Sequence, residues 1–116
     1  MPVPTSDQMA RLFVLFLIKG PMWTSEATEG SAKLQIEHVE YQISLRKSGK
    51  TLLVGPLIDD GEIRGITIFK VNSEDEVKYL IDQDPAVKAG AFLYHFHPWM
   101  VEKEALSEAL RNNYLK

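Results

Sequence analysis

The chain has 116 residues, of which 45% are hydrophobic and 25% charged, values that fit one globular domain able to hold a core without metal or disulfide. A net charge of −3 without any run of Lys or Arg argues against nucleic acid or an anionic membrane as partner. With no cysteine there are no disulfides, no thiolate catalysis and no Cys-ligated zinc, and the expected location is the cytoplasm.

Residues 1–10, with Pro2 and Pro4, read as a loose N-terminal arm. Leu12–Ile18 is apolar at every position. Seven residues are too few to span a bilayer, so this is a first strand covered on both faces. Gly20-Pro21 ends it, and a loop containing Trp23 runs to Gly30. A helix is predicted from Glu29 to Lys47, with Leu34, His38, Tyr41 and Leu45 on one face and Gly49 as the stop. Thr51–Val54 is the second strand, Asp59-Asp60-Gly61 a turn, and Gly65–Val71 the third strand.

Ser73 and Glu76 have the spacing of a capping box that opens a second helix, and Asp84-Pro85 ends it. Ala91–His97 is the fourth strand, with Phe92, Tyr94 and Phe96 on one face, Leu93, His95 and His97 on the other, and Pro98 closing it. A terminal helix over Glu102–Asn113 turns Leu106, Leu110 and Tyr114 inward. The order β-α-β-β-α-β is ferredoxin-like, an α+β fold with both helices on one sheet face. The bare face of an apolar strand then calls for a second sheet, and a symmetric homodimer would supply it.

His38 lies on the buried stripe of the first helix, where it is either a hydrogen-bonded core residue or an acid/base group tuned by a carboxylate. Asp84 is the best carboxylate partner, with a purely local Asp-Pro turn as the alternative. Gly55-Pro56, Arg64 and Tyr41 are candidate ligand contacts, Arg64 for an anionic group. His95 and His97, at i and i+2 on a strand, would ligate a metal if His38 or Asp84 joined them. Phosphate loops, nucleophile elbows and zinc signatures are absent.

Taken in order, His38, Gly49-Lys50, Gly55-Pro56-Leu57, Asp59-Asp60-Gly61, Arg64-Gly65, Asp84-Pro85 through Gly90, and His97-Pro98-Trp99 resemble the YciI-like (YCII-related) family. The resemblance spans residues 11–99 of a single domain covering 1–116, and residues 100–116 form a C-terminal helical extension. It implies a dimeric α+β barrel and a His–Asp pair, matched here by His38 and Asp84, in a cleft. The long loop Gly20–Gly30, the extension and Val54, where a smaller residue is usual, depart from the pattern. The expectation is a homodimer that acts without a cofactor on a small molecule through His38 and Asp84, as a lyase, isomerase or hydrolase. A non-catalytic ligand-binding or accessory dimer, and a metal-binding protein using His95 and His97, are the alternatives.

Overall fold

The computed structural model describes residues 7–111. Its elements are β1 (Met9–Lys19), α1 (Glu29–Lys47), β2 (Thr51–Pro56), β3 (Ile63–Phe69), α2 (Glu74–Ile81), α3 (Pro85–Lys88), β4 (Phe92–Glu102) and α4 (Lys103–Arg111). The four strands form an antiparallel sheet in the order β2-β3-β1-β4, the ferredoxin-like arrangement, with β1 and β3 inside.

One sheet face carries the helices. Phe13, Leu15 and Leu17 of β1 and Phe69 of β3 pack with Leu45 of α1 and with Val77 and Ile81 of α2. Phe92, Tyr94 and Phe96 of β4 close over this cluster. The other face presents Val14, Phe16, Ile18, Ile68, Leu93, His95 and His97, none of them fully buried. Leu53 and Leu93 are 69% and 51% exposed, so apolar side chains on that side face solvent.

α1 starts and stops where the sequence predicts. Gly49 at φ 80° donates to Arg46 O, and Lys50 N donates to Leu45 O, the paired bonds of a left-handed helix stop. Its N-terminus holds an unforeseen capping box: Ser31 N donates to Thr28 Oγ1, and Thr28 N donates to Ser31 Oγ. Serine stands there where the common pattern has Glu or Gln.

Several boundaries differ from the sequence expectation. β1 begins at Met9, inside the supposed arm, because Met9 and Ala10 pair with Glu102 and Val101. β3 is shifted to Ile63–Phe69, so Val71 follows it. The Ser73 cap forms, but Glu76 does not return to it. Its carboxylate accepts instead from Asn72 N and Lys50 Nζ. Pro98 does not close β4, since the strand continues to Glu102 with Pro98 opposite Phe13. β4 is an edge strand, where a missing N–H can point away from the ladder. Asp84 does not end the second helix. α2 stops at Ile81, and Asp84 is the N-cap of α3. The terminal helix leaves Leu110 65% exposed rather than inward, and Tyr114 lies outside the described residues.

Candidate active site

α1 presents Gln35, His38, Val39, Gln42 and Ile43 to a cavity of about 380 Å³ between the helix and the β2–β3 end of the sheet. Their spacing of 3, 4, 7 and 8 residues from the first puts them on one helical face. Leu17, Trp23, Phe92, Val54, Gly55, Pro56 and Arg64 are also on its wall. The size suits a small organic ligand.

His38 and Asp84 meet, although 46 residues apart. His38 Nδ1 and Asp84 Oδ2 are 2.7 Å apart, and Asp84 is wholly buried. The same Oδ2 accepts from Gln42 Nε2 at 2.8 Å, and Oδ1 accepts from Ala86 N at 2.8 Å. Gln42 Nε2 and Ala86 N both donate to this buried carboxyl, so it is the acceptor of the group and His38 Nδ1 fits as its third donor. Nδ1 of His38 therefore carries a proton. In the neutral ring the free lone pair belongs to Nε2, which has no partner among the described residues. The ring lies 5.2 Å from that of Phe92.

Gln42 was not among the residues singled out from the sequence. Its amide is oriented at both ends, with Nε2 on Asp84 and Oε1 accepting from Thr67 Oγ1 at 3.3 Å. Thr67, at the centre of β3, is itself fully buried. The detectable signal was a polar residue four positions after His38, one turn further along the same face.

The other candidates divide. Gly55, Pro56 and Arg64 reach the cavity wall. Gly55 has a negative φ and open space where a Cβ would stand, so neither strain nor crowding explains the glycine. Tyr41 points elsewhere: its hydroxyl donates to Leu80 O at 2.6 Å, linking α1 to α2, and it does not line the cavity. Burial and the nearby Asp84 charge raise its pKa above the usual tyrosine value. His95 and His97 lie on the opposite sheet face from His38 and Asp84, so the expected three-ligand set does not assemble. The two imidazoles touch each other, Nδ1 to Nε2 at 3.1 Å, and His95 stacks on Phe16. Among the described residues no three His, Cys, Asp or Glu side chains cluster as metal ligands.

Trp23 is carried in by the loop after β1. Gly20 N donates to Ala91 O and Met22 N to Gly90 O, which fastens the loop to the α3–β4 junction. A Cβ on Gly20 would come within 2.3 Å of Gly90 O, so this approach requires glycine. Lys19 Nζ sits 4.4 Å from the centre of the Trp23 ring.

No curated protein matches the chain in a sequence comparison. A solved structure is similar in fold: 5-chloro-2-hydroxyhydroquinone dehydrochlorinase (TftG) from Burkholderia phenoliruptrix AC1100, in complex with 2,5-dihydroxybenzoquinone. The TM-score is 0.59 at 23% identity, covering 76% of this chain and 92% of that one. The YCII-related domain pattern matches residues 13–100, a span that holds His38, Asp84 and most of the ferredoxin-like sheet, and this chain belongs to the YCII-related domain family.

Proposed function

We propose that the cavity is the active site of an acid/base enzyme that moves a proton on a small metabolite. The observation that carries this reading is the 2.7 Å contact between His38 and the buried Asp84, with the other ring nitrogen unpartnered on a ligand-sized cavity. His38 Nε2 takes a proton from the substrate or, for hydrolysis, from a water that adds to it, and Asp84 stabilises the imidazolium that forms. The proton then returns to another substrate atom or to a leaving group, giving isomerisation, elimination or hydrolysis. Transfer by an imidazole asks for no cofactor. Gly55, Pro56 and Arg64 would contact the ligand, whereas Tyr41 is assigned to packing.

The similar dehydrochlorinase supports a small, oxygenated ring as substrate, since its solved complex contains 2,5-dihydroxybenzoquinone. The protein would work in the cytoplasm as a homodimer built on the open sheet face. Among the described residues no helix is long and apolar enough to cross a membrane.

The test is a turnover screen of small hydroxylated acids, quinones and lactones, followed by His38→Ala on whichever compound reacts. The expected loss in kcat is about 10²- to 10⁴-fold, the usual weight of a positioned general base. Unchanged turnover would remove His38 from the chemistry. Ligand binding with no turnover of any compound would favour the non-catalytic dimer.

A further inference from the structure

We infer that the cavity selects planar carboxylate anions and that Arg64 is the residue that recognises the carboxylate. The inference rests on the reading of this cavity as the ligand site. Arg64 is the only permanently charged residue among the lining side chains, and no carboxylate lines the cavity with it. The nearest acidic group to the chemistry, Asp84, is fully buried and already accepts three hydrogen bonds.

Arg64 is half-buried and takes part in no ion pair among the described residues. Its Nη1 donates to two backbone carbonyls of the β2–β3 turn, Asp59 O and Gly61 O, each at 2.9 Å. Those carbonyls hold the guanidinium in place without neutralising it. Nε and Nη2 have no partner among the described residues, and these two nitrogens form one side of the planar fork. That side presents two parallel N–H groups, the geometry that takes both oxygens of a carboxylate. A positive charge held beside an apolar wall is less screened than one in water, which strengthens its attraction for an anion.

The rest of the wall sets the shape. Trp23 and Phe92 supply aromatic surface, and Leu17, Val39 and Val54 supply aliphatic surface, so the body of the ligand is apolar and flat faces are accommodated. Lys19, close by, is not a competing anchor. It lies over Trp23 and 3.9 Å from Glu62, and it does not line the cavity. The substrate class is therefore a one-ring carboxylate, with its acid end on Arg64 and a proton-bearing atom facing His38.

Benzoate and benzamide are the probes, alike in ring and shape but differing in charge. Binding is followed by ligand-observed NMR or calorimetry on the full chain, with the amide spectrum checking the fold. Benzoate is expected to bind the parent protein about 10-fold or more tighter than benzamide, as a charge-assisted pair should. Arg64→Gln should bring the two within about twofold. If that variant disturbs the β2–β3 turn, Arg64→Lys keeps the charge without the fork and should retain a weaker preference for benzoate. Equal affinity for both probes, no benzoate binding, or an undiminished preference in Arg64→Gln would overturn the inference. The two readings fail separately. Loss of turnover in His38→Ala without anion preference would leave the catalytic reading standing alone. Anion preference abolished by Arg64→Gln, with full turnover in His38→Ala, would do the reverse.

Discussion

Asp84 occupies the position on which the site depends. It caps α3, anchors the His38 ring and fixes the Gln42 amide, three tasks for one carboxylate. His38 and Asp84 were both legible in the sequence, one as a histidine on an apolar stripe and the other before a proline. Their pairing was expected, from Asp84 as the best carboxylate partner and from the resemblance, whereas the contact itself depends on the packing of α1 against α3 across 46 residues. Gln42 and Thr67 escaped notice because polar residues with neutral side chains carry no motif. A more exposed pair has a measurable consequence. The Tyr94 hydroxyl donates to Asp82 Oδ1 at 2.6 Å, and burial first, then this bond and the Asp82 charge, pushes its pKa up to about 12. A group whose pKa rises on folding stabilises the fold below its ordinary value and loses that contribution as pH climbs through the raised one. Urea unfolding should therefore show the midpoint falling between pH 10.0 and about 12, and falling less in Tyr94→Phe. Parallel decline in both proteins would show that the pair has no such role.

At the scale of elements, long periodic segments were the readable ones. α1 has the expected bounds because the spacing of Leu34, His38, Tyr41 and Leu45 and the stop at Gly49 agree on them, although the buried stripe is narrow and Ile36, Val39 and Ile43 are exposed. The errors came where a local signal met a tertiary context that outweighed it. Pro98 would break an interior strand, but β4 is at the edge and runs through it. Asp84-Pro85 looked like the end of a helix, yet proline is also favoured in the first turn of one, and α3 begins there. The N-cap position of Asp84 also suits its charge. A carboxylate at a helix C-terminus is disfavoured, whereas here Asp84 accepts a backbone N–H at an N-terminus. The loop Gly20–Gly30 had no periodicity to read, and its role in bringing Trp23 to the cavity rests on the close approach of Gly20 to Gly90 O.

For the whole molecule, the sheet has one face closed by helices and one left apolar and open. Leu53, Leu93 and Trp99 are each about half exposed or more, at 69%, 51% and 47%. A monomer rarely keeps such a surface in water, and a second copy packing sheet to sheet would bury it. Sedimentation should give twice the 13.2 kDa chain mass, and Leu93→Asp should shift the protein toward monomer. A parent protein that is monomeric at every concentration would refute the dimer. In such a dimer His95 and His97, on this same face, would be enclosed between subunits, far in role from the catalytic reading of His38.

The proposed catalysis requires Asp84 to hold His38 with Nδ1 protonated and Nε2 free for the substrate. The most direct measurement is the ¹⁵N shift pattern of the His38 ring at a pH where it is neutral, in the parent and in Asp84→Asn. A single Nδ1–H tautomer is expected in the parent and a mixed or reversed tautomer in Asp84→Asn. An Nε2–H tautomer in the parent, or a pattern indifferent to Asp84, would contradict it.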